Sequence, residues 1–136
     1  MSRLNQFRGS GYNRGNLLGT VSQSGGVPTG AVIERGANAN GEYVRFADGT
    51  QICTFVGPAV ATEQAAGAIW RHVDALSWTY PAAFSSNPIV SGGAGLTARW
   101  LSIGEPALNV VGYRVYSYTS AANLNSPSLI AIGRWF

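Results

Sequence analysis

From Gly41 onward the chain alternates apolar and polar residues in short runs, each closed by a turn residue. Period-two runs of about four to eight residues are the pattern of half-buried strands. In "GEYVRFADGTQICTF" the pair Asp48-Gly49 separates two such runs, which predicts a β-hairpin whose two turn residues adopt positive φ. A two-residue loop pairs Phe46 with Gln51 and Val44 with Cys53. It sets Val44, Phe46, Cys53 and Phe55 on one face and Tyr43, Arg45, Ile52 and Thr54 on the other. Cys53 then reads as a small core residue rather than a reactive thiol.

Further runs follow in "AIWRHV", "LSWTY", "PIVSG", "ARWLSIG", "LNVVGYRVYSYT" and "SLIAIGRWF". In "LSWTY" the residues Leu76, Trp78 and Tyr80 share a face. Only "TEQAAGAIW" offers a helical turn. About seven or eight strands with no long helix predict an all-β fold, an antiparallel β-sandwich head over residues 39–136. The last run is apolar on both sides, with Ile130, Ile132 and Phe136 on one and Leu129, Ala131, Gly133 and Trp135 on the other. Such a strand needs a second sheet over one face and a further cover, such as a neighbouring subunit, over the other.

Residues 1–38 have a different texture. "GSGYNRGN", "SQSGGVPTG" and "RGANANG" are interrupted by Gly, Asn, Ser and Pro too often for a helix. This stretch is either a tail without fixed structure or an extended N-terminal arm that orders on a partner. In the second case Phe7, Tyr12, Leu17 and Leu18 anchor it, and Arg3, Arg8 and Arg14 steer it.

Charged residues make up 11% of the chain, against roughly 25% in soluble proteins generally. Either assembly covers much of the surface or Ser, Thr, Asn and Gly solvate it. All nine basic residues are arginine, a bias suited to interfaces but equally produced by a GC-rich genome. The net charge of +3 resides in the first 33 residues; beyond them six arginines balance six acids. With no nucleic-acid-reading motif, that weak footprint argues against a nucleic-acid partner. Cys53 is the single cysteine, so no intrachain disulfide forms. No apolar run approaches about 18 residues and the N-terminus lacks a signal-peptide pattern, so synthesis in a cytoplasm without membrane insertion is expected.

Catalytic chemistry finds little support. His72 is the only histidine and Asp74 stands near it, but no nucleophile motif, metal-binding motif, phosphate loop or dinucleotide fingerprint occurs. The expectation is a non-enzyme with no cofactor and no metal. Carbohydrate binding suits the aromatic inventory better, since sugars offer apolar C–H faces to rings and hydroxyl edges to Arg and Asn. The candidates are Arg114, Tyr116 and Tyr118 on one strand face and Arg99 next to Trp100, with Trp70 and His72 as second choices. The competing reading places these aromatics in the core or a subunit interface.

The succession "NGEYVRFADGTQIC", "SWTYPAAFSSNPIV", "YRVYSYTSA" and a terminal "LIAIGRWF" resembles the C-terminal domain of phage tail-fibre proteins. Tyr43, Asp48, Gly49, Ile52, Tyr80, Pro81, Phe84, Pro88 and Ile130 to Gly133 carry the resemblance, over roughly residues 40–136. It implies a homotrimeric head similar to H-type lectins, placed at the tip of a fibre and binding a host-surface receptor that is often a glycan. Such fibres usually have a long shaft before the head, whereas here only the arm precedes it. The stretch "LLGTVSQSGGVPTGAVIERG" resembles segments preceding such heads in phage-like particles and gene transfer agents of marine bacteria. The resemblance implies a virion protein made in the host cytoplasm, a short tail fibre or spike tip whose arm docks on a tail, baseplate or capsid protein. The alternative is a non-catalytic capsid or tail decoration protein that stabilises the particle.

Overall fold

The computed structural model describes residues 11–136, and every regular element among them is a strand. In chain order these are β1 (Gln23–Ser24), β2 (Val27–Pro28), β3 (Ile33–Asn38), β4 (Gly41–Phe46), β5 (Thr50–Val56), β6 (Val60–Thr62), β7 (Gln64–Ala66), β8 (Ile69–Arg71), β9 (Leu76–Thr79), β10 (Ile89–Gly93), β11 (Arg99–Ile103), β12 (Val110–Ser117), β13 (Ala121–Asn125) and β14 (Ser128–Arg134). A first antiparallel sheet has the order β10-β14-β5-β4-β3. A second runs β11-β12-β8-β7, with β9 pairing the first half of β12 beside β8. Two small pairs, β1-β2 and β13-β6, complete the chain.

One apolar cluster joins the two large sheets. Cys53, Leu129 and Ala131 come from the first, Trp78, Val111, Tyr113 and Val115 from the second, and all are buried. Phe55 lies flat against Trp78 at 5.6 Å, Trp78 meets Tyr80 edge-on at 5.0 Å, and Tyr80 meets Phe84 edge-on at 5.1 Å. These are the offset and T-shaped geometries that ring quadrupoles favour. Burying an indole also requires a partner for its N–H, and Trp78 donates to the carbonyl of Asn40 at 2.8 Å.

The β4–β5 hairpin is built on a three-residue loop, Ala47 to Gly49, rather than the two-residue loop its Asp-Gly pair suggests. A two-residue type I′ turn needs positive φ at both positions, and only Gly49 has it, at +97°. Asp48 instead accepts the N–H of Thr50 at 2.9 Å, and Gly49 donates to Phe46 at 3.0 Å. The register is therefore Arg45 with Gln51, Val44 with Ile52 and Tyr43 with Cys53. This corrects the faces of β4: Tyr43 and Arg45 share the side of Cys53 and Phe55, while Val44 and Phe46 join Ile52 and Thr54.

The expected arm does not run free to residue 38. Residues 33–38 form β3, which pairs with β4 from Ile33–Phe46 to Asn38–Gly41. The segment before it folds back on β3, with Gly19 donating to Ile33, Ile33 to Leu17 and Val21 to the Glu34 carboxylate at 2.9 Å. The helical turn that "TEQAAGAIW" allows is instead the β7–β8 hairpin, turned through Gly67 at φ +67°.

Alternation in β14 is as read from the sequence as far as Arg134. Leu129 and Ala131 are buried, while Ile130 and Ile132 are 37% and 45% exposed. Ile89, Ile132, Ile52 and Val44 occupy successive cross-strand positions, a row of aliphatic side chains over four strands of the outer face. The last two residues leave the strand and close around the hairpin turn. Trp135 donates its backbone N–H to Gly49 and its indole N–H to Phe46, and Arg134 donates to Asp48 at 2.8 Å.

Candidate functional site

The candidate site lies on the outer face of the second sheet. Val111, Tyr113, Val115 and Ser117 of β12 point inward and are buried, so period two turns Arg114 and Tyr116 outward. Pairing of β11 with β12 sets Trp100 opposite Tyr116 and Ser102 opposite Arg114. The Trp100 and Tyr116 rings stack at 5.9 Å with 15° between their planes. On the other side Tyr116 faces Arg71 of β8, which faces Gln64 of β7. Arg71 donates Nε to the Gln64 amide oxygen at 2.9 Å, which orients its guanidinium plane. The result is one row across four strands: an aromatic pair, then a fork, then an amide. Trp100 is 41% exposed.

Tyr118 follows β12 by one residue, donates its N–H to Ala98 at 3.4 Å and is exposed. Three candidates fall elsewhere. Arg99 is buried, its guanidinium donating to the carbonyls of Val60 (2.8 Å), Asn123 (2.7 Å) and Ala121 (3.3 Å), so it ties β11 to the β6–β13 pair rather than meeting a ligand. Trp70 pairs with Ser117, an inward position, which places it on the opposite face of β8 from Arg71. His72 shares that parity, and its Nδ1 hydrogen-bonds the Ala61 carbonyl at 2.9 Å. Sequence reasoning misses Arg71 and Gln64, although alternation in "IWRHV" already opposes Arg71 to Trp70 and His72.

Of the expected anchoring residues, Arg3, Phe7 and Arg8 lie outside the described residues. Arg14, Tyr12, Leu17 and Leu18 are exposed. Tyr12 joins Pro28, Val32 and Phe46 around an apolar recess of about 510 Å³.

Cys53 and Gln51 lie in the interior of the first sheet. Burial pushes the Cys53 thiol up to about 11, partly offset by hydrogen bonds, which leaves it protonated and a poor nucleophile near neutrality. Gln51, fully buried beside it, donates to the carbonyls of Ala82 and Ala83 at 2.9 and 3.1 Å. Among the described residues no three His, Cys, Asp or Glu side chains gather as metal ligands. In comparisons with known proteins the chain matches no family model, no curated protein and no solved structure.

Proposed function

We propose that this chain is the β-sandwich head of a virion attachment protein, a short tail fibre or spike tip that binds a host-surface glycan without catalysis. The observation that carries the reading is the stacked Trp100–Tyr116 pair continued by Arg71 and Gln64. A pyranose ring places C–H bonds against such an aromatic surface, and its hydroxyls then reach a planar fork and an amide at the rim. The row is pre-arranged by sheet register, so little side-chain entropy is lost on binding. The tail-fibre resemblance supplies the virion context, with docking to a tail, baseplate or capsid protein through the N-terminal segment and assembly as a homotrimer.

A glycan microarray probed with the full chain tests the reading. Binding to a defined saccharide set that falls at least about tenfold in Trp100→Ala is expected, since sugar–aromatic stacking supplies much of such an interface. An array without a bound saccharide, or binding untouched by Trp100→Ala and Tyr116→Ala, overturns it.

The alternative of a decoration protein draws on one observation, the aliphatic row Ile89, Ile132, Ile52 and Val44. An exposed apolar face of this kind fits packing against other subunits. In that reading, particles lacking the protein still adsorb to host cells but lose resistance to heat or osmotic shock.

A further inference from the structure

Among the described residues, the strands of the second sheet carry two arginines and no acid on this outer face. Outward positions of β7, β8, β9, β11 and β12 include Arg71 and Arg114 but neither Asp nor Glu. Arg71 stands opposite Tyr116, and Arg114 lies two residues back along that strand, so the two occupy diagonal neighbouring positions, roughly 7–8 Å apart. Among the described residues neither guanidinium has an ion-pair partner. Within the same residues Arg71 uses only its Nε, on Gln64, and Arg114 makes no side-chain hydrogen bond. On the first sheet, by contrast, Arg35 forms an ion pair at 3.9 Å with Glu42, its diagonal neighbour on β4. Two guanidinium groups on diagonal positions of one sheet face, neither held by an acid, leave both forks free to close on an anion between them.

We infer that the ligand is an acidic saccharide, one bearing a carboxylate or sulfate group. Its ring rests on Trp100 and Tyr116, and its anionic group sits between the Arg71 and Arg114 guanidinium groups. Arginine forks match a two-oxygen anion in plane, and charge-assisted hydrogen bonds are about twice as strong as neutral ones. The Ser102 hydroxyl, opposite Arg114, adds a further donor at the rim. This inference rests on the glycan reading above and specifies its substrate class. Single-stranded nucleic acid also stacks on aromatics, but it needs a basic track along several phosphates, and this face offers two cations.

The test is a panel of matched pairs, each uronate-, sialate- or sulfate-bearing saccharide printed beside its neutral counterpart, with an oligothymidylate as control. The expected result is a preference of at least about tenfold for the acidic member of a bound pair, weakening with added salt. Arg71→Gln and Arg114→Gln each reduce that preference, while Trp100→Ala weakens both members. The carboxylated and sulfated arms identify the anion. Equal binding of acidic and neutral members, or a preference unchanged in both arginine variants, overturns the inference. If neutral binding still requires Trp100, that result leaves the glycan reading standing. Stronger binding of oligothymidylate through the same arginines overturns it in favour of nucleic acid, and the absence of any bound saccharide removes the glycan reading with it.

Discussion

Trp135 donates its indole N–H to the carbonyl of Phe46 at 2.7 Å, fastening the end of the chain to the β4–β5 hairpin. The indole also covers the Arg45 guanidinium, which lies 5.7 Å from its centroid and 5.4 Å from that of Tyr43. The terminal aromatic pair is thus a latch on a turn, rather than the last rung of a strand.

Removing Trp135 and Phe136 should therefore cost about 3 kcal/mol in total, less than the sum for two fully buried aromatics, because both are only half-buried. Urea unfolding measures the loss. Hydrogen exchange should localise it, with protection falling first around Asp48 and Gly49. Unchanged stability would show that the latch contributes nothing.

Gly49 is a second point of weakness in the same turn. At φ +97° an L side chain is strained, and an added Cβ would collide with the Arg134 guanidinium. Gly49→Ala is expected to cost about 1–3 kcal/mol, read as a lower thermal midpoint with the sheet content of the native protein retained.

Arg99→Met leaves three buried or half-buried carbonyls without their donor. A loss of about 3 kcal/mol is expected. In the saccharide panel that tests the proposed function, a folded Arg99→Met protein should give the same result as the parent at a temperature where both are native, which separates this arginine from Arg71 and Arg114.

Stability should decline above pH 9. The Cys53 thiol, desolvated by burial, has its pKa raised from 9.0 to about 11, and burial raises the Tyr80 phenol from 10.0 to about 12. Both native groups keep protons that the unfolded chain releases. Their contribution is complete below the unfolded pKa values and is lost as pH rises through the native ones. The Cys53 share disappears between pH 9 and 11 and the Tyr80 share between 10 and 12. Urea midpoints across that range test this, and Cys53→Ala should flatten the lower half.

A chain beginning at residue 39 lacks β3 and bares the edge of β4 along six residues. It should be less stable than a chain beginning at residue 17, and more prone to pair edge to edge. Equal stability by thermal melting would restore the boundary at residue 38.

Strict alternation makes much of this fold legible. "LSWTY" and "LNVVGYRVYSYT" disclose their inward and outward residues because each sheet face has one environment. The β4 register is not legible, since it depends on whether Asp48 takes positive φ, a choice the whole hairpin makes. Gly36, Asn38 and Asn40 hide β3, although Asn40-Gly41 is itself a turn signal. Trp100, Tyr116 and Arg114 emerge from their own strands. Arg71 and Gln64 do not, because strand order β11-β12-β8-β7 brings distant segments together and no local pattern records it. Arg99 misleads because an arginine in a strand ordinarily faces water, and here carbonyls from β6 and β13 enclose it.

The division of labour within β11 and β12 has an evolutionary consequence. Leu101, Tyr113 and Val115 face the interior, while Trp100, Arg114 and Tyr116 alternate with them along the same two backbones. Substitutions at the outward positions leave the inward ones in place, and surface changes of that kind usually shift stability by no more than about 0.5 kcal/mol. Under the proposed function, a lineage can therefore rewrite the specificity of this face, residue by residue, while inheriting the same scaffold.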